Sequence, residues 1–151
     1  MSNDETKHLT ERILTAANQI LEPCGLGQGF SIGMVDMGLI GGVDVERGDS
    51  GWRVKVSARV TSPDCLHFVY FERELRSAIM AVGNIDKIDV EWGDCSEWSP
   101  DQMAPRVREQ MQERRRKRLA TIEQVRETPV PRPDQFVSSV PDVLKADAAR
   151  R

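Results

Sequence analysis

The apolar positions along this chain recur with two different periods, which predict alternating helices and strands. Apolar residues between Leu9 and Leu21 recur every three or four positions, so the first element is expected to be an amphipathic helix that ends before Pro23. Over residues 52–60 every second residue is apolar, which is typical of a strand with one buried face. The same periods predict a strand at residues 38–46, a helix with Phe68, Phe71, Leu75, Ala78, Ile79 and Val82 on one face, a strand with Ile88, Val90 and Trp92, and a last helix with Met103, Val107 and Met111.

The order of these elements predicts an α+β fold. The order is helix, strand, strand, helix, strand, helix, and a turn at residues 47–51 makes the first two strands a hairpin. A strand-helix-strand unit crosses over right-handedly, so the third strand should run parallel to the second in a small three-stranded mixed sheet with helices packed on it. The glycine-rich residues 25–33 lack the features of a phosphate-binding loop, and we expect them to be a connector.

The chain is expected to form one domain that is followed by a tail. A flexible N-terminus should cover residues 1–8, and the domain with its helical extension should cover residues 9–120. Residues 121–151 are predicted to be the end of the last helix and then a tail, because four prolines lie among polar residues after Thr128. Such a segment is disordered, or it becomes ordered on a partner.

Composition excludes several classes of partner. The net charge of -3 is too small to indicate a polyanion, and glutamates surround the basic run at residues 114–118, so nucleic-acid binding is not expected. No apolar run approaches the ~20 residues that span a bilayer, so we expect no membrane helix. The N-terminus is polar and predicts no secretory signal. Three widely spaced cysteines are typical of reduced thiols in a cytoplasmic protein.

Cys65 is the most prominent candidate for chemistry. Ser62 is predicted to be the N-cap of the second helix and Pro63 its first residue, which makes Cys65 the third. Free backbone N–H groups and the helix dipole favour a thiolate at that position, so Cys65 should alkylate faster than Cys24 or Cys95. The alternative is a buried cysteine that fills space.

The strand directions bring all three cysteines toward one edge of the predicted sheet. The approach to the first strand and the ends of the second and third strands face this edge, and they hold Cys24, Cys65 and Cys95. Clustered thiolates are soft ligands suited to iron-sulfur clusters, zinc or copper(I), so the three cysteines are candidate metal ligands. Closed sites usually have four ligands. Three cysteines therefore predict a transient, open site, or a fourth ligand from a partner, a second subunit or His67.

Three polar residues near this edge are further candidates for the site. Thr61, Asp36 and Asp64 are predicted to shape the surroundings of Cys65. For the two aspartates, capping of a turn or of a helix start is an equal alternative. A hydrolytic pair of Cys65 with His67 is not expected, because residues two apart on a helix point to different sides.

Several of these segments resemble a known family in their order and spacing. The chain is similar to the PaaD/SufT-like metal-sulfur cluster assembly domain over about residues 10–112, including a C-terminal extension that opens with Trp98. It departs from the family pattern at Cys24, where an acidic residue is usual, and at Leu66, where a second proline is frequent. The matching segments are Glu22-Pro23, Val35-Asp36-Met37-Gly38-Leu39-Ile40, Thr61-Ser62-Pro63-Asp64-Cys65 and residues 85–90.

The resemblance implies an accessory protein and not a turnover enzyme. Its members take part in iron-sulfur maturation or serve oxygenases, so the expected partners are a client metalloenzyme, an oxygenase or the iron-sulfur assembly machinery. Cys65 would be the thiolate, Cys24 and Cys95 co-ligands, and an iron-sulfur cluster or metal ion would be held transiently if at all. A homodimer is left open.

A second function from another class fits the same residues. The protein would then be a dedicated chaperone or structural subunit of a multicomponent diiron oxygenase, acting by protein binding without thiol chemistry. It would bind its partner through the edge of the sheet, the tail and the last helix, on the face that carries Met103, Val107 and Met111.

Overall fold

A three-stranded sheet lies at the centre of the structure, which is a computed structural model that describes residues 2–127. The strands are β1 (Ile40–Arg47), β2 (Trp52–Arg59) and β3 (Ile85–Gly93), in the order β1-β2-β3. β1 is antiparallel to β2, and β3 is parallel to β2. The predicted α+β class and mixed sheet are therefore confirmed.

In the described part of the chain, four helices accompany the sheet: α1 (Ser2–Ala17), α2 (Pro23–Gly27), α3 (Phe68–Val82) and α4 (Pro105–Glu127). α1 includes residues 2–8, which were predicted to belong to a flexible N-terminus. It ends at Ala17, four residues before Leu21, where the apolar pattern ends. α3 is the crossover between β2 and β3, and it ends at Gly83. Two short 3-10 helices, Cys95–Glu97 and Pro100–Gln102, lie between β3 and α4.

The core forms between α1, α3 and one side of the sheet. β2 shows the predicted alternation, since its apolar residues are buried while Arg53 and Lys55 are exposed. α1 contributes Ile13 and α3 contributes Leu75, and both side chains are fully buried. Their burial removes apolar surface from water at about 25 cal/mol per Å² and is the main favourable term for this packing. Other members of the core are Leu9, Ala17, Ile20, Met34, Leu39, Trp52, Val54, Val56, Phe71 and Ile79.

The helix after β2 begins later than predicted. Ser62, Pro63 and Cys65 were expected to open it, but its first residue is Phe68. The Cys65 N–H donates to the Ser62 carbonyl at 3.2 Å, which closes a turn instead of starting the helical bond pattern. Cys65 therefore does not lie in a first helical turn, and the helix-dipole argument for its thiolate was wrong.

The last helix also begins later than predicted. Ser99 and Gln102 do form a cap, because the Ser99 N–H donates to Gln102 Oε1 at 2.8 Å, but this cap closes a 3-10 turn. α4 starts only at Pro105. Between these elements, the indole N–H of Trp98 donates to the Met37 carbonyl at 2.9 Å and joins this connection to the approach to β1.

The first turns of α4 belong to the core. Met103 and Val107, which were predicted to bind a partner, are 7% and 0% exposed, and Met111 is partly buried against the same cluster. The prediction of a free docking face was wrong here, because the sheet domain needs these apolar residues for its own packing. The core lies within residues 2–111, and residues 112–127 continue α4 beyond this unit.

Two further expectations concern the ends of the chain and the membrane. The predicted tail after Thr128 lies outside the described residues. Within residues 2–127, no helix combines the length and the apolar character that a bilayer span requires.

Replacing Gly38 with alanine should destabilise the domain by about 1 to 3 kcal/mol, because its φ of +77° is strained for any side chain. A Cβ at this position would also lie 2.6 Å from the Gln102 carbonyl oxygen. Urea denaturation of Gly38→Ala measures the loss. Gly42→Ala is the matched control in β1, where a Cβ meets nothing within 4 Å, and it should change stability by less than about 0.5 kcal/mol. Equal stability of the two variants would contradict the prediction.

Candidate functional site

A cavity of about 270 Å³ lies where the chain approaches β1 and leaves β2. Cys24 and Cys65 both line it, whereas Cys95 is not among its lining residues. The other lining residues are Glu22, Leu39, Val60, Thr61, Ser62, Asp64, Leu66, His67 and Phe71. The structure therefore brings together two of the three predicted cysteines, with Thr61 and Asp64 beside them.

Glu22 positions Cys24. Its carboxylate is only 8% exposed and caps α2, accepting a hydrogen bond from the Cys24 N–H at 3.0 Å and another from the Gly25 N–H. A carboxylate buried in this way is stabilised by two backbone donors that would otherwise lack partners. Cys24 follows the cap and Pro23 directly, so the cap sets where its thiol meets the cavity.

The turn after β2 positions Cys65. The Arg59 N–H donates to the Leu39 carbonyl at 2.9 Å, which joins the end of β2 to the start of β1. Beyond this bond the chain turns through residues 61–67, where the Asp64 N–H lies 3.4 Å from Ser62 Oγ. Cys65 is half-buried in this turn and lines the cavity beside His67, the residue before α3.

Carboxylates act on two of the thiols. The Glu22 carboxylate accepts a hydrogen bond from the Cys24 thiol and, with partial burial and the nearby Cys65, raises the pKa of Cys24 above its ordinary value. Asp94 acts on Cys95 in the same way and raises its pKa. Both effects favour the neutral thiol, so Cys24 and Cys95 are poor nucleophiles near neutral pH.

Cys95 lies beyond the same edge of the sheet but in its own local structure. The last residue of β2, Arg59, pairs with the last residue of β3, Gly93. The chain therefore leaves both strands at one edge of the sheet, as the strand directions predicted. Cys95 then opens a 3-10 helix whose cap is Asp94, with the Ser96 N–H donating to the Asp94 carboxylate at 2.8 Å. Joint ligation of a metal by Cys95 with the other two cysteines stays a prediction.

Asp36 lies at a junction outside the cavity lining. Its carboxylate accepts a bond from Asn18 Nδ2 at 2.9 Å and forms an ion pair with Arg106, and its N–H donates to Asn18 Oδ1 at 2.9 Å. The Ala104 N–H donates to the Asp36 carbonyl at 2.8 Å. Asp36 thus joins the end of α1 to the start of α4 through side-chain partners, and these bonds of its carboxylate are not those of a turn or helix cap.

The donor set at the cavity suits temporary metal binding. Two thiols are soft ligands, and His67 and Asp64 add an imidazole and a carboxylate at the cavity wall. Within residues 2–127, however, no group of three or more His, Cys, Asp and Glu side chains is arranged to hold a metal ion. One copy of the domain therefore offers a thiol pair and not a closed metal site.

A larger and more open groove of about 1190 Å³ lies along the charged side chains of the sheet. Its lining includes the ion pairs Arg53–Asp49 at 3.7 Å and Lys87–Asp89 at 2.9 Å, all of whose side chains are more than half exposed. No cysteine or histidine lines it. Exposed pairs of this kind contribute about 0 to 1 kcal/mol each, and the groove is a solvated strand surface.

Glu22 is the functional residue that the sequence reasoning missed. The sequence pattern singles out Glu22 only as part of the Glu22-Pro23 segment, and it predicts a connector at residues 25–33. A carboxylate followed directly by proline is a pattern for a capped helix start, since the proline occupies the first helical position without losing a needed N–H. That signal predicts α2, and with it the place of Cys24.

The architecture is similar to solved structures. No protein-family model and no curated protein matches the chain. The domain of unknown function DUF59 from Bacillus anthracis is similar with a TM-score of 0.59 at 12% sequence identity, covering 72% of this chain and 96% of that one. The chain has the DUF59 fold. A conserved hypothetical protein from Thermotoga maritima is similar to this DUF59-fold chain with a TM-score of 0.53 at 22% identity, covering 67% and 91%.

A third solved structure comes from Mycobacterium tuberculosis, and that protein is associated with Fe-S complex assembly and repair. It is 30% identical to the DUF59-fold chain over 71% of this chain and 86% of that one, with a TM-score of 0.42.

Cys65 should react with iodoacetamide faster than Cys24 and Cys95 at pH 7, because carboxylates raise the pKa of the other two thiols. Peptide mass spectrometry of a time course gives the rate for each cysteine. Glu22→Gln removes the negative charge beside Cys24 and should speed its alkylation without changing that of Cys95. The prediction fails if Cys24 reacts first in the unmodified protein.

Asp36→Ala should destabilise the domain by about 2 kcal/mol, since it removes charge-assisted bonds to Asn18 and Arg106. Thermal and urea denaturation measure this loss. The rate of Cys65 alkylation should stay unchanged if Asp36 is structural. Asp101→Ala is the matched control, because its pair with Arg108 is exposed and contributes at most about 1 kcal/mol. A changed rate of Cys65 alkylation in Asp36→Ala would contradict a purely structural role and would show that Asp36 influences the thiol.

Proposed function

We propose that this protein is a non-catalytic accessory protein that receives an iron-sulfur cluster or another thiophilic metal centre and passes it to a client protein. The observation that carries the proposal is the thiol pair: Cys24 and Cys65 line one open cavity at the edge of the sheet. The metal centre is the cargo of this reaction and not a resident cofactor. A second polypeptide chain supplies the remaining ligands.

Cys65 is the leading thiolate in this proposal. Metal binding requires deprotonated thiols and releases their protons, so a thiol with a raised pKa is a weaker ligand at neutral pH. Cys24 is such a thiol because of Glu22, whereas Cys65 has no carboxylate bonded to it among the described contacts. One stronger and one weaker ligand favour a cargo that can be released. Thr61, Asp64 and His67 complete the cavity wall around the pair.

The proposal extends to the family and to the client. In this proposal the chain is a PaaD/SufT-like protein, because its segments around Asp36 and Cys65 resemble those of that family, whose clients include oxygenases. Assembly of Fe-S complexes is also the stated association of the Mycobacterium tuberculosis protein. The expected partners are therefore the iron-sulfur machinery and a client metalloenzyme.

The dedicated-chaperone alternative is supported less well. One of its three partner surfaces was the face with Met103, Val107 and Met111, and the first two of these side chains are buried in the core. The thiol cavity, by contrast, is open and combines several side chains that suit one chemistry.

Cys65→Ser should fold normally but fail to restore the metal content of the client in cells that lack the wild-type protein. Serine has nearly the same size as cysteine but is not a soft ligand, and Cys65 is only half-buried, so stability should change by less than about 1 kcal/mol. Iron and sulfide analysis of the purified client is the measurement. Cys95→Ser is the matched control and should restore the client. Full restoration by Cys65→Ser would disprove the thiol mechanism and leave the fold assignment intact.

A further inference from the structure

We propose that a second copy of this chain completes the thiol site: Cys24 and Cys65 of two copies, facing each other about a two-fold axis, supply four thiolates to one thiophilic metal centre. This inference rests on the proposed function, since it names the first partner of the same thiol pair. It adds an interaction surface and a ligand count.

The number of ligands is the first step of the argument. Zinc and iron-sulfur sites are usually closed by four ligands, and thiolates serve in both. Within residues 2–127 no set of three metal-binding side chains is arranged so that it could hold an ion. One copy therefore offers the thiol pair of Cys24 and Cys65 as its ligands. A two-fold axis doubles any surface that lies on it, so two copies that meet at the cavity provide four thiolates.

Most of the exposed apolar residues of this unit lie close in the chain to residues that line the cavity. Five large hydrophobic side chains are exposed within residues 2–111, and four of them flank the cavity in sequence. Leu66, which lines the cavity, is 87% exposed, and Val69 is 62% exposed. The apolar rim consists of these four residues, Leu26, Leu66, Phe68 and Val69. The fifth, Met80, lies near the other end of α3.

The size of the rim explains why the metal is needed. A stable protein interface buries about 800 Å² on each partner. Four partly exposed side chains fall short of this area, so the apolar rim alone should not hold two copies together. The coordinate bonds to a shared metal would supply what the apolar area lacks.

Charge complementarity points to a cation between the copies. The segments that carry the site, residues 22–30 and 60–69, contain no lysine or arginine. Their charged residues are Glu22 and Asp64, and bound thiolates add further negative charge. Two such surfaces repel each other in the absence of a metal, because neither can neutralise the other. A Zn²⁺ ion, or two ferric ions with two sulfides, brings two positive charges while four thiols release four protons to the solvent, so the bound centre keeps two negative charges. The four coordinate bonds, and not charge neutralisation alone, would therefore hold the two copies together.

The experiment titrates the reduced full-length protein with Zn²⁺ and measures mass by native mass spectrometry and light scattering. We expect a monomer of 17.0 kDa without metal and a dimer of twice this mass with one zinc for two chains. A second arm uses ferric iron with sulfide in place of zinc and should give the same dimer if the site also takes a cluster. Cys24→Ser and Cys65→Ser should each abolish the metal-dependent dimer.

A pair of helix variants separates the rim from general surface effects. Val69→Asp adds a negative charge at the apolar rim outside the cavity lining and should weaken zinc-dependent dimerisation at least tenfold. Met80→Asp makes the same change at an exposed position of the same helix and should dimerise like the wild type. Circular dichroism confirms that both variants fold.

Three results would overturn the inference: one zinc for each monomer, a dimer that forms without metal, or metal-dependent dimers in Cys24→Ser. A bridged complex that forms only when client protein is added would also overturn it, and would assign the missing ligands to the client. None of these results touches the proposed function, which fails only if Cys65→Ser restores the client.

Discussion

The antiparallel pairing of β1 with β2 is the constraint on which the thiol site depends. It sets the start of β1 beside the end of β2, and the bond from the Arg59 N–H, at the last residue of β2, to the Leu39 carbonyl extends this pairing to the residue before β1. Cys24 lies in the segment before β1 and Cys65 in the segment after β2, 41 positions apart in the chain. Only this pairing brings both to one cavity, and the parallel β3 then adds stability from the other side.

Glu22 gives the site both its order and its limited affinity. As a buried cap it fixes the first turn of α2 through two backbone donors, and a five-residue helix could not stand without such support. The same carboxylate raises the pKa of Cys24 and so opposes metal binding by that thiol. A lysine or a helix terminus in its place would favour the thiolate and a tighter site. In the proposed function, a weaker ligand at Cys24 would favour release of the metal centre to the client.

The sequence predicted the sheet well because strand periodicity is local and strong. The alternation in residues 52–60 depends on one buried face, which β2 has, and the helical connection from β2 to β3 is the crossover that parallel strands require. The predicted start of α3 was wrong because serine followed by proline is compatible with a turn as well as with a helix start. Local pattern cannot decide between the two when a later residue, here His67, can also precede the first helical turn.

Two other outcomes depend on contacts that no local pattern contains. Asp36 bonds to Asn18 and Arg106, which are 18 and 70 positions away, so its structural role appears only when α1 and α4 meet. Met103 and Val107 have the same periodicity whether their face is free or covered, and the core covers it. The cavity could not be predicted from a periodic pattern, because its two thiols come from a short capped helix and a turn. Both segments are positioned by the sheet. In the proposed function, a metal centre would bind and leave at these segments while the sheet and its core stay intact.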